Sequence, residues 1–238
     1  MRKLYETNEL VFALMWIVAY CVIMAPISGQ FTWLFAIAAF SAVIITFIRF
    51  NHLEEKYGLN GFPKDTKKYL YFIPMFVLAT GNLWSGYSLA GDGTEIITAS
   101  LSMILVGFVE EMLFRGFLFK ALLGKGNDIS AIIVSGATFG IGHILNMFEG
   151  QAGPDTVMQI IFAISWGFIL TMAFYKSGSL IPCIIAHAMI DTFSLYGTES
   201  ALAGRIYIGA TVITAIVYSI YLSRLHTPDS KMNSHAEK

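Results

Sequence analysis

The sequence predicts an all-α, polytopic membrane protein of eight transmembrane helices, and three observations lead there. Of 238 residues, 56% are hydrophobic and 13% charged, whereas soluble domains carry roughly a quarter charged residues; the mean hydropathy is +0.66. Apolar stretches close to the roughly 20 residues that a bilayer demands of a helix recur along the chain. Basic residues, finally, collect in alternate connections, as cytoplasmic loops do. Spanning strands are not expected, because the runs do not alternate and lipid admits only helices or closed barrels. A net charge of -1, with no aromatic-basic patch, gives no warrant for a nucleic-acid partner.

The first stretch, residues 10–27, follows Met1-Arg2-Lys3. Its apolar region is long and no small-x-small cleavage site closes it, so it reads as an uncleaved helix rather than a signal peptide. Residues 31–50 form the second stretch, and the polar connection 51–68 reads as a cytoplasmic loop at the interface. The third, 69–90, carries Pro74, Gly81, Asn82 and Gly86, tolerable where neighbouring helices satisfy the backbone. Then come 96–123, 129–148, 157–175, 179–195 and 201–222. Residues 1–225 thus read as a single transmembrane domain with a catalytic core at about 96–196, and 226–238 as a short polar cytoplasmic tail.

Charge in the connections supports this count. Arg2 and Lys3 precede the first stretch, and Arg49, Lys56, Lys64, Lys67 and Lys68 follow the second. Lys120, Lys125, Lys176, Arg224, Lys231 and Lys238 continue the series on the same side. The opposite loops hold Asp92, Glu95, Glu149, Asp155 and Glu199, with Arg205 the one basic residue near a membrane end. Both termini are therefore expected in the cytoplasm. Cys21 and Cys183 lie in apolar segments without CxxC spacing and read as small hydrophobes.

Three polar patterns interrupt the apolar runs: Glu110-Glu111-Met-Leu-Phe-Arg115, Phe139-Gly-Ile-Gly-His143 and His187-Ala-Met-Ile-Asp191. Carboxylates and imidazoles are costly inside a bilayer and read as functional by default. Residues four apart share a helix face, so Glu111 reaches Arg115, and Glu110, turned about 100° away, faces elsewhere. His187 and Asp191 share a face, as do Phe139 and His143, while Gly140 and Gly142 permit close approach of another helix. At about 1.5 Å per residue, Glu110 lies about 20 Å from the inferred cytoplasmic end of its helix, His143 about 21 Å, Asp191 about 18 Å and His187 about 12 Å. The polar site is accordingly expected between helices four, five and seven.

Such a cluster suits amide hydrolysis. Glu110 as general base takes a proton from water, and a neighbouring histidine orients that water or binds a metal. His187 then meets the oxyanion, with Asp191 orienting it or acting as a protonated donor. Alternatively Glu110, His143, His187 and Asp191 form a metal site whose N and O ligands suit zinc; spacing does not separate the two mechanisms. Each feature also has a structural reading. Glu111 with Arg115 suits a buried bridge, a membrane histidine suits an interhelical hydrogen bond, and Phe139 and the glycines suit packing. His52, His226 and His235 fall in loops or tail and read as bystanders.

EExxxR, FxxxH and HxxxN/D, in this order on separate membrane helices, resemble the CAAX-protease and bacteriocin-processing (CPBP, or Abi) family of intramembrane proteases. The trio spans residues 110–191. The resemblance implies an eight-helix, glutamate-dependent endopeptidase, long described as a metalloprotease although a metal-free mechanism has also been proposed. By it, Glu110 and His143 activate water, His187 and Asp191 form the oxyanion site, and Glu111 and Arg115 are structural support. The prenyl-protease branch commonly has Asn where this chain has Asp191, so a simple amide donor is missing there.

Three function classes follow: an intramembrane protease acting on a peptide or membrane-anchored protein, a non-proteolytic immunity or regulatory binding protein of the same fold, and a proton-coupled transporter with midplane carboxylates. HExxH, GxSG and GxGD patterns are absent, which argues against other membrane-protease types. The depth of the cluster favours a bacterial plasma membrane and a secreted-peptide, leader or immunity-related substrate. A prenylated cytoplasmic tail would need a cavity open to that side.

Overall fold

Asn8 opens the fold by punctuation: its side chain accepts from the Val11 amide at 3.1 Å, separating α1 (Arg2–Thr7) from α2 (Glu9–Met24). The structure, a computed structural model, describes residues 1–89, 91–147 and 153–224. Helices α3 (Gln30–Phe50) and α4 (Ile73–Ala79) follow. The long helix α5 runs Gly93–Leu123, and α6 (Asp128–Ile141), α7 (Gly153–Ser177), α8 (Ile181–Ser194) and α9 (Ala201–Arg224) complete the series. Among the described residues an isolated antiparallel bridge, Tyr87 with Gly197, stands in place of any strand. The expected ends at Ala90 and Phe148, the charge at Glu149 and the tail 226–238 with His226 and His235 lie outside the described residues.

Among the described residues, four helices are long and apolar enough to cross a membrane: α3, α5, α7 and α9. Helices α2 and α8 and the stretch Asp128–Ile144 are apolar but shorter. Their outer faces expose Val18, Val22, Phe35, Ile213, Val217 and Ile220, side chains for which lipid is the fitting solvent. The chain is an integral membrane protein.

The expected third span is the clearest departure. Residues 69–90 do not form one helix: a 3-10 segment Thr66–Phe72 leads into α4, and a second 3-10 turn, Gly81–Leu83, follows. Pro74 sits at the start of α4, where its missing N–H costs nothing. At the other end Asn82 Nδ2 donates to the Ile190 carbonyl at 2.9 Å, tying the broken backbone to α8. Two further features add to the sequence reading. The connection after α3 is docked, not merely superficial: Tyr57 is buried, the Leu180 amide donates to Gly58 O at 2.9 Å, and Ser179 Oγ donates to Gly61 O at 2.7 Å. And α5 is not uniformly α-helical, since Met112–Phe119 forms a π-helix.

Capping and close packing fix the helices that carry the polar residues. Asp92 and Glu95 form a capping box at the start of α5, a reciprocal satisfaction of two orphan backbone donors. Gln30 Nε2 donates to Glu95 O at 2.6 Å, pinning α3 to the same end. Between α5 and α8 the backbones nearly touch at Gly107, where a Cβ would lie 2.8 Å from the Ala188 amide nitrogen. Gly107→Val is therefore expected to destabilise the fold by about 1–3 kcal/mol through overpacking, read as a lowered Tm in detergent; a variant as stable as wild type would refute so tight a seam. Gly140 plays the same part between α6 and α7, with a Cβ position 2.3 Å from Ile164 Cγ1. At Gly142, expected to do likewise, a Cβ would meet nothing within 4 Å among the described residues.

Candidate active site

Glu110 and Glu111 end the α-helical part of α5, directly before the π turn. Such turns widen a helix locally and recur at functional sites. Glu111 points inward and is fully buried with Arg115, whose Nη1 donates to Glu111 Oε1 at 2.7 Å. The guanidinium also sits 4.3 Å from the Phe139 ring centroid and directs Nη2 at the Gly167 carbonyl, 3.4 Å away. It thus binds α5 to α6 and α7 as well as to its own helix. Ser135 Oγ adds a second strut, donating to Phe114 O at 3.0 Å.

Glu110 is turned away from this pair and keeps 19% of its side chain exposed. Its Oε2 lies 3.7 Å from His187 Nε2, and its Oε1 accepts from the Tyr20 hydroxyl at 3.1 Å. His187, buried on α8, is clamped from both ends. Nδ1 meets Glu111 Oε1 at 2.8 Å, and Nε2 faces Asp191 Oδ2 at 3.4 Å, one turn further along α8. A ring whose Nδ1 is fixed by a carboxylate has its tautomer and its plane set, the usual way a working imidazole is oriented. Glu111 Oε1 therefore serves two donors, Arg115 and His187.

Phe139 lies between the two histidines. Its ring meets His187 edge-on at 5.4 Å and His143 at 5.9 Å between centroids, and Phe114 closes its other side at 5.2 Å. His143 is not in the helix proper: α6 ends at Ile141 and His143 sits in a 3-10 segment, Gly142–Met147. Among the described residues it has no ion pair or hydrogen bond of its own.

The structure thus brings together Glu110, Glu111, Arg115, His187 and Asp191, with Phe139 as the packing centre and His143 beside it. The expected zinc set is Glu110, His143, His187 and Asp191. Among the described residues no three or more His, Cys, Asp or Glu side chains form a metal-holding arrangement. His187 Nδ1 is turned to Glu111, and Glu110 and Asp191 both face the remaining nitrogen.

Two features were missed by sequence reasoning. The His187–Glu111 contact joins residues 76 apart, so helical spacing could not announce it. Tyr20 contributes from α2, 90 residues before Glu110; its trace in the sequence is a lone hydroxyl deep in an apolar helix.

Residues 92–193 match the family described as type II CAAX prenyl endopeptidase Rce1-like. Over this segment the chain is similar to that family. The Rce1-like segment begins at the Asp92 cap and ends two residues past Asp191, so it holds all three polar patterns and leaves Tyr20 outside. No curated protein matches the chain.

Proposed function

We propose that this chain is an intramembrane CAAX-type endopeptidase in which Glu110 activates the hydrolytic water. The observation that carries the reading is the split between the two adjacent carboxylates: Glu111 is fully buried on Arg115 and His187, while Glu110 stays partly exposed opposite His187 Nε2. A carboxylate already holding a guanidinium and an imidazole is not free to take a proton from water. Its neighbour, whose one ion-pair partner among the described residues is His187, is available as a base.

In this reading Glu110 Oε2 takes a proton from water as the water oxygen adds to the carbonyl carbon of the scissile amide. His187, donating from Nδ1 to Glu111 and from Nε2 outward as imidazolium, meets the oxyanion. Asp191, protonated, supplies the second donor that an asparagine would otherwise give. Collapse of the tetrahedral intermediate breaks the C–N bond, and Glu110 returns its proton to the leaving amine. His143, across Phe139, orients the attacking water.

The basic connections favour a cytoplasmic side for the Leu123 end of α5 and for both termini. The substrate is a membrane-anchored peptide, and the family match makes a prenylated carboxyl-terminal tail the first to test. The test is incubation of the purified, detergent-solubilised chain with an internally quenched peptide ending in farnesyl-Cys-aliphatic-aliphatic-X. Cleavage after the prenylated cysteine, read by mass spectrometry, supports the proposal, and an intact peptide together with an intact bacterial leader peptide would refute it.

Asp191 gives a second expectation. Asp191→Asn keeps a donor and is expected to retain activity within about tenfold of wild type, whereas Asp191→Leu removes it and should cost about 10²- to 10³-fold in kcat, the scale of a lost oxyanion donor. Equal loss in both variants would show that Asp191 acts as a carboxylate instead.

A further inference from the structure

We infer that Tyr20 is a positioning residue for the general base, holding one oxygen of Glu110 so that the other is presented to water. The inference rests on Glu110 being that base. It comes from α2, which lies outside the Rce1-like segment.

The geometry divides the carboxylate. Tyr20 Oη donates to Glu110 Oε1 at 3.1 Å, and the other oxygen, Oε2, is the one that faces His187 Nε2. A carboxylate on an exposed side chain rotates freely, and a misplacement of the order of 1 Å costs about 10²-fold in rate. With Oε1 pinned from one side, Oε2 stays turned toward His187 Nε2. The phenol is itself held: its ring packs against Phe40 of α3 at 5.6 Å between centroids, and the turn below it packs Trp16 edge-on against the same Phe40 at 5.3 Å. Two helices therefore fix the direction of the hydroxyl before any substrate arrives. Packing alone would be served as well by phenylalanine, since the buried residues of α2 are Phe12, Ala13, Trp16 and Met24.

The test compares wild type, Tyr20→Phe, Glu110→Gln, Glu110→Asp and the double variant Tyr20→Phe/Glu110→Asp, using the farnesylated quenched peptide. Tyr20→Phe should lower kcat by about 10- to 100-fold, the range of a charge-assisted hydrogen bond, with KM within about twofold of wild type and Tm unchanged. In the Glu110→Asp background, whose shorter side chain has already left the hydroxyl, the same substitution should cost little, so the two effects are non-additive. A measurement without substrate stands beside these: labelling of Glu110 by dicyclohexylcarbodiimide, read by peptide mass spectrometry, should rise several-fold in Tyr20→Phe.

The outcomes separate. Wild-type cleavage by Glu110→Gln overturns the base assignment and Tyr20 with it. An inactive Glu110→Gln beside a fully active Tyr20→Phe overturns the Tyr20 inference alone. A Tyr20→Phe whose loss appears as raised KM and lowered Tm, with additive effects, reduces Tyr20 to a structural tie, and unchanged carbodiimide labelling denies the contact itself.

Discussion

Glu110→Gln is expected to lower peptide cleavage by about 10²- to 10⁴-fold, the usual contribution of a general base, while Tm stays at the wild-type value. The substitution is nearly isosteric, and its amide oxygen still accepts from the Tyr20 hydroxyl that now meets Oε1, so packing around α2 and α5 is kept. What is lost is the capacity to take a proton from water. The neighbouring Glu111 gives the contrast that makes the result specific. Glu111→Gln removes the charge that holds both Arg115 and His187, so it should cost stability along with activity. A Glu110→Gln protein that cleaves at the wild-type rate, measured by product formation over time, would refute the mechanism whatever the substrate. One that is inactive because it has unfolded would show in the Tm and be set apart by the same experiment.

Much of the site was legible because helical spacing translates directly into faces. Glu111 with Arg115 and His187 with Asp191 are four apart and do meet, at 2.7 and 3.4 Å. Counting rise per residue placed Glu110 and Asp191 at similar depth, and they do flank the same imidazole nitrogen. What spacing cannot carry is contact across the chain. Glu111 was assigned to Arg115 alone, although its Oε1 also fixes His187, and Tyr20 had no partner within its own helix to mark it. Hydropathy failed for a different reason at residues 69–90: it measures whether a stretch is apolar, not whether its backbone is continuous. Pro74, Gly81 and Asn82 broke that stretch into α4 and two 3-10 turns. The π turn at Met112–Phe119 is invisible to a 3.6-residue period, because it changes the period itself.

Arg115→Leu is expected to destabilise the fold by about 3–5 kcal/mol, since breaking a buried pair from one side leaves an uncompensated charge. Arg115 and Glu111 are both fully buried, so no water reaches Glu111 to replace the guanidinium. The loss extends beyond the pair. Phe139 loses the cation over its face and the Gly167 carbonyl loses a donor, loosening α5 against α6 and α7 together. The double variant Glu111→Gln/Arg115→Met separates the structural from the chemical share. Replacing both charges with groups of similar volume removes the orphaned ion, and such replacements are often neutral or stabilising, so most of the Tm should return. Activity should not return, because His187 Nδ1 then faces a neutral amide instead of a carboxylate and an imidazolium at Nε2 is no longer supported. Tm and kcat, measured on the single and double variants in one detergent, decide the matter: if kcat recovers with Tm, Glu111 serves the fold alone, and the line drawn from the buried carboxylate through His187 to the oxyanion is wrong.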